Sequence, residues 1–191
     1  MDSDTFDSNA TWEPVLGQST QYLTRETYGD LRTCTFCLDR EGTIYENPGS
    51  KIAIAILEVK MRMETHPHCR CSLEEMITIL AGTATRDGTD GADYVVKYTG
   101  KLPDNYISQD AAEKRGWEKK KGNLWDVLPG ACVFTVHNNW KKKLPESPGR
   151  IWYEADLNYQ GGYRNKHRLL FSNDGLIFVT YDHYLTYYQI V

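Results

Sequence analysis

Residues 151–191, IWYEADLNYQGGYRNKHRLLFSNDGLIFVTYDHYLTYYQIV, constrain this chain more than any other stretch. Aromatic and β-branched residues dominate WYEADLNY, RLLFS, LIFVTYD and YLTYYQIV, as expected for strands with a buried face. Asn173-Asp174-Gly175 between LLFS and LIFV supplies residues that tolerate a left-handed backbone and predicts a hairpin. The polar residues set among these runs are a carboxylate, Glu154, and two arginines after a Gly-Gly turn, Arg164 and Arg168. His183 follows in the turn before the last aromatic run.

Upstream the pattern changes. ADYVVKYTG reads as a helix ending at Gly100, with Pro103 beyond it. Ser108 opens a second helix, SQDAAEKRG, and NLWDVL forms a third before Pro129-Gly130. ACVFTV is the first strand of the unit. Helices followed by antiparallel strands make an α+β domain.

The Gly-, Thr- and Asp-rich stretch 82–93 is the expected domain boundary. Residues 1–20 read as a flexible tail, 21–83 as a small Cys/His module, and 84–191 as the α+β unit. Within the module Thr43-Ile44-Tyr45 reads as a short strand, and KIAIAILEVK fits a strand or a helix. Ser72 with Glu75 forms a capping box that predicts a helix with Met76, Ile77 and Leu80 on its apolar face. Residues 84–191 carry 15 Lys+Arg against 13 Asp+Glu, a balance of +2. Residues 1–83 carry 7 against 13, or −6, so the two parts are charged for different work. The start is acidic and polar, without the basic and apolar regions of a signal peptide, and no apolar run approaches a membrane span. The expectation is a cytoplasmic protein, or one exported by a route that needs no signal peptide.

Four of the five cysteines form two close pairs, Cys34 with Cys37 and Cys69 with Cys71. Such pairs suit a tetrahedral structural Zn2+, with His66 and His68 alongside as further candidate ligands. They also suit two disulfides in an oxidising compartment, or unliganded thiols. Four thiolates would leave no open position for a catalytic metal. Cys132, alone in an apolar run, reads as a small core residue.

Cleavage of RNA needs no metal, because the 2′-OH is a built-in nucleophile. A base must take its proton, an acid must protonate the leaving 5′-oxygen, and cations must stabilise charge on the phosphate. Glu154 suits the base, provided the arginines keep it ionised. His183 suits the acid, and Arg164 and Arg168 suit a forked phosphate clamp.

KLPDNYI (101–107), GW (116–117), KGNLWDVLPG (121–130), WYEADLNY (152–159), GYRN (162–165) and TYDHYLTYYQI (180–190) occur in order and at nearly constant spacing. Together they resemble the barnase-type bacterial ribonucleases over about 91–191. The resemblance implies N-terminal helices packed on a five-stranded antiparallel sheet, and an endoribonuclease that needs no metal and forms a 2′,3′-cyclic phosphate from single-stranded RNA. It places Glu154 as general base, His183 as general acid, and Arg164 and Arg168 at the phosphate. It also implies a barstar-like acidic inhibitor as partner. Two positions depart from the family. Gln109 stands where the family carries a lysine. The base-reading loop, Phe134 to Pro145, lacks the family's glutamate. There Asn139 keeps an asparagine's place, Trp140 suits stacking on a base, and Lys141, Lys142 and Lys143 suit phosphate contacts. Gln109, Asn139, Trp140, Lys141 and Arg168 are therefore the expected substrate-binding residues.

CTFC with HPHCRC resembles the C-terminal Cys/His region of phage Mu-type minor head proteins. This implies a toxin-like nuclease fused to a phage-derived module. The alternative is a catalytically weak RNA-binding or structural module associated with a phage head.

Overall fold

The computed structural model describes residues 13–26, 35, 37, 42–46 and 72–191. In chain order these form β1 (Leu16–Glu26), β2 (Ile44–Glu46), β3 (Ser72–Ile79), α1 (Ala92–Thr99), β4 (Tyr106–Ser108), α2 (Gln109–Lys114), α3 (Leu124–Val127), β5 (Cys132–His137), β6 (Trp152–Asp156), β7 (Arg168–Ser172), β8 (Ile177–Thr180) and β9 (Tyr188–Ile190). A 3-10 turn at Gly88–Asp90 precedes α1.

The strands make one mixed sheet in the order β2-β1-β3-β9-β8-β7-β6-β5-β4. Strands β5 to β9 are the expected antiparallel meander, each paired with the next. The expected five-stranded sheet is nonetheless extended to nine strands. β4 joins β5 in parallel at one end, and β3 joins β9 in parallel at the other. A free edge on β9 would leave a row of unpaired backbone groups, and β3 covers it.

Two expectations fail in the N-terminal part. β1 begins at Leu16, within the stretch read as a tail. SLEEMITI is a strand rather than the helix its capping box predicted. Pairing with β1 on one side and β9 on the other outweighs that local signal, and the Ile77-Thr78-Ile79 run is β-branched. Of the proposed metal ligands, Cys34, His66, His68, Cys69 and Cys71 lie outside the described residues, as does KIAIAILEVK. Cys37 is buried, with Arg25 Nη2 3.9 Å from its sulfur.

The predicted helices form where their signals placed them. Ser108 caps α2 by accepting from the Ala111 N–H, and α1 ends on Gly100 in the left-handed conformation. The 82–93 stretch is folded around Asp93, whose carboxylate accepts from the N–H groups of Gly82 and Ala84 and from the Thr85 hydroxyl.

Strand alternation sorts the core onto two faces. On one face, Ala92 and Val96 of α1 pack with Ala155, Leu169, Val179 and Ile190. The other face carries Trp152, Leu170 and Phe178, joined by Tyr22 of β1, Ile44 of β2 and Met76 of β3. A third cluster joins α2 and α3 to the sheet through Ala112, Leu124 and Val133. It includes Cys132, where burial pushes the thiol up to about 12 and so removes it as a nucleophile.

Because Met76 belongs to the same apolar cluster as Phe178, the N-terminal strands and the meander are expected to unfold together. Met76→Ala should cost about 2–5 kcal/mol in a single transition, measured by urea unfolding. A separate early transition that leaves the main one unchanged would contradict a shared core.

Candidate active site

Register assembles the site. Glu154 lies opposite Thr135 of β5 and Leu170 of β7, and Asp156 lies opposite Arg168. With a side-chain period of two, Thr135, His137, Glu154, Asp156 and Arg168 therefore share one face of the sheet.

Glu154 is the hub. His137 Nδ1 lies 3.0 Å from its Oε2, and the Tyr184 hydroxyl donates to the same oxygen at 2.7 Å. Arg164 Nη2 stands 3.5 Å from Oε1, and Arg168 Nε 3.7 Å from it. Arg164 is itself gripped by Asp156, with Nε 2.9 Å from both carboxylate oxygens and Nη2 2.6 Å from Oδ1. Arg168 Nη1 donates to the carbonyls of Asn165 and His167, and lies 3.3 Å from Asp156 Oδ1. The Nε of Arg168 is buried and has no hydrogen-bond acceptor among the described residues.

Burial raises the proton affinity of the Glu154 carboxyl. The hydrogen bonds from His137 and Tyr184 and the charges of Arg168 and His137 outweigh it, holding this carboxyl down at about 2. Burial and the Glu154 carboxylate together push the Tyr184 phenol upward, so Tyr184 stays a donor. Burial works against the charge on Arg164, but its bonds to Asp156 prevail and raise it further.

The loop after β8 is held from several sides. The Asp182 carboxylate accepts from the N–H groups of Leu185 and Thr186 and from the Thr180 hydroxyl. The Tyr184 N–H donates to Thr180 Oγ1. These contacts fix His183 and Tyr184 at φ 64° and 71°, unusual for residues with a Cβ. Lys143 Nζ donates to the Tyr184 carbonyl, and the Lys143 carbonyl accepts from the Ile44 N–H of β2. Gly42 sits against this loop at φ 69°, where a Cβ would lie 2.4 Å from the Leu185 carbonyl oxygen.

The structure brings Glu154, Arg164 and Arg168 together. His183 is exposed, with its ring centre 4.7 Å from that of Tyr184, and Tyr184 in turn bonds Glu154. Gln109 opens α2, where its amide donates to Glu113 and accepts from Lys119. Asn139 is turned inward: its side chain donates to the Leu144 carbonyl and accepts from the Leu144 N–H. It braces the loop, while Trp140 at the tip is 86% exposed and Lys141 and Lys142 are exposed beside it. Lys143, expected at a phosphate, is buried and tied to Tyr184 instead.

Sequence reasoning missed His137, Tyr184 and Asp156 as members of the site. The alternation Glu154-Ala155-Asp156 and the adjacency of Tyr184 to His183 were visible signals. His137 had none, because its place depends on how β5 pairs with β6.

Folding lowers the Glu154 carboxyl from an ordinary 4.5 to about 2. Its contribution to stability is therefore complete above the ordinary value and fades as pH falls toward the lowered one. Between about pH 5 and about pH 2 the native protein should lose on the order of 2–3 kcal/mol more than Glu154→Gln, measured by urea unfolding. Equal losses in the two proteins would refute the stabilised carboxylate.

Residues 89–191 match the ribonuclease family. The chain is 42% identical over 127 residues to a ribonuclease of Bacillus intermedius, covering 66% of this chain and 76% of that protein. A ribonuclease of Bacillus pumilus matches to the same extent. A ribonuclease of Heyndrickxia coagulans is 47% identical over 107 residues, covering 56% of this chain and 95% of that protein. With a carboxylate and two arginines gathered on the sheet face, and relatives of this closeness, the chain belongs to the ribonuclease family and is a barnase-like endoribonuclease.

Proposed function

We propose that the enzyme cleaves single-stranded RNA without a metal ion, by transesterification to a 2′,3′-cyclic phosphate. The observation that carries this reading is the gathering of Arg164 and Arg168, 3.5 and 3.7 Å away, around the ionised Glu154. The non-bridging oxygens of a bound phosphate meet the positive charge of these two guanidinium groups. Glu154 takes the 2′-OH proton as the 2′-oxygen–phosphorus bond forms. The bond to the 5′-oxygen breaks, and His183 gives that oxygen its proton. In the slower hydrolysis the roles reverse, with His183 taking a proton from water and Glu154 returning one to the 2′-oxygen. A carboxyl held at about 2 is a weak base at rest. An arriving phosphate draws on the same arginines and so raises its proton affinity. Arg164, held by Asp156, presents its charge from a fixed position.

Trp140 and Lys141 on the exposed loop form the outer part of the substrate path, by stacking and phosphate contact. Asn139 positions them. Gln109 contributes polarity but no charge, and Lys119, beyond the end of α2, donates to its side-chain oxygen and brings a cation beside it. The loop has no carboxylate at the tip to accept from guanine, so weaker guanine preference follows. We further infer that residues 84–191 are the catalytic unit of a toxin, countered by a barstar-like acidic inhibitor, and that CTFC and HPHCRC belong to a phage-derived module. In that module Cys34, Cys37, Cys69 and Cys71, with His66 or His68 nearby, would hold a structural Zn2+. The Arg25 guanidinium beside Cys37 favours the thiolate that zinc requires.

Incubation with RNA in excess EDTA should give cleavage with cyclic phosphate ends. Glu154→Ala and His183→Ala should each lower kcat by roughly 10²- to 10⁴-fold, whereas Trp140→Ala should mainly raise KM. RNA retained but uncut, equally by native protein and Glu154→Ala, would replace catalysis with binding. Elemental analysis of the reduced, freshly purified protein should give about one zinc per chain. A metal-free protein with paired thiols would assign the cysteines to disulfides instead.

A further inference from the structure

His137 is the residue at this site that the proposed reaction leaves unused. It ends β5, and its Nδ1 lies 3.0 Å from Glu154 Oε2. Its ring is tilted over Tyr184 with centroids 5.6 Å apart, and its side chain is 20% exposed. The same residue lines an open groove with Asn138, Asn139, Glu146 and Arg150, into which the base loop opens.

A count of charge shows what the ring could add. Arg164 and Arg168 bring two positive charges, and Glu154 and Asp156 cancel them. These four charges sum to zero, and the positive charge of the protonated His183 is given up with its proton to the leaving 5′-oxygen. The substrate brings one negative charge, and the transition state concentrates more on the phosphate oxygens. Gln109, where the resembling family has lysine, brings none. Arg150 faces the groove but is committed to Asp174 through Nε and Nη2. Lys143 is turned toward the Tyr184 carbonyl.

We propose that protonated His137 is a further cation of the site, one that keeps its charge through the reaction, held through Nδ1–H by Glu154 and donating Nε2–H to a phosphate oxygen of the bound RNA. This rests on the reading of Glu154 as the base. Charged and titratable groups face the ring. They are Glu154 from β6, Tyr184 and the neighbouring His183 from the loop after β8, Arg164 and Arg168 around the carboxylate, and Glu146 and Arg150 across the groove. A bound phosphate favours the imidazolium, so ligand binding must take up a proton as pH rises through the histidine range.

The consequence is a pH dependence of binding that does not need cleavage. A 2′-deoxy oligonucleotide lacks the nucleophile and reports binding alone. Its affinity for the native protein should fall between about pH 5.5 and about pH 8, and His137→Asn should be roughly 10-fold weaker at the low end and equal at the high end. Asn keeps a donor near the Nδ1 position but cannot carry charge. His137→Lys should keep the low-pH affinity of the native protein across the range. In cleavage assays at about pH 6, His137→Asn should lose roughly 10- to 100-fold in kcat/KM, and His137→Lys should recover most of it. NMR titration of the His137 ring in the unmutated protein gives a check independent of folding: saturating 2′-deoxy dinucleotide phosphate should raise its pKa. A ring pKa unmoved by ligand, or His137→Asn binding like the native protein at low pH, overturns the proposal. Failure of the native protein to cleave RNA would count against Glu154 as base, while the binding and titration results would still decide the role of His137.

Discussion

A carboxylate buried on the face of a sheet must be matched or neutralised, and the catalytic half of this protein is arranged around that requirement. Glu154 is only 13% exposed in its side chain, yet it is held ionised. Arg164 and Arg168 do not suffice on their own, because Asp156 draws on both of them. The hydrogen bonds from His137 and Tyr184 complete the match. Each of these partners comes from a different segment, so the carboxylate is satisfied only when β5, β6, β7 and the loop after β8 are all in register. Removing any one of them leaves buried charge without compensation, which is costly.

The loop that carries His183 and Tyr184 shows how the rest of the chain serves this arrangement. Its left-handed residues are held by Asp182 and Thr180 within the loop, by Lys143 from the base loop, and by close packing of Gly42 from the N-terminal segment. Strands β1, β2 and β3 therefore do more than lengthen the sheet. Tyr22, Ile44 and Met76 fill the apolar cluster beneath the same face that carries Glu154. The part of the chain with the less regular sequence supports the part that does the chemistry.

Part of the cluster around Glu154 was legible in the sequence. Glu154, Arg164 and Arg168 stood out because strand alternation and a turn placed unlike charges among apolar runs. The helices announced themselves through Ser108 and Gly100, local signals that the fold kept. The helix expected at Ser72 was equally local but was overruled, since two strand edges needed pairing. Asn139 and Lys143 look like substrate contacts in a polar loop, but both are spent on holding that loop and its neighbour in place.

The sequence by itself determined the antiparallel meander, the three helices and which polar side chains lie among the strands, because these follow from period, turn residues and side-chain type. The tertiary structure decided which groups meet. His137 reaches Glu154 only through the β5–β6 register, Tyr184 only through the turn that Asp182 fixes, and β3 finds β9 across more than a hundred residues of chain. Pairing across a sheet is a long-range property, set by which edges remain open and which faces need burial, and no local pattern encodes it.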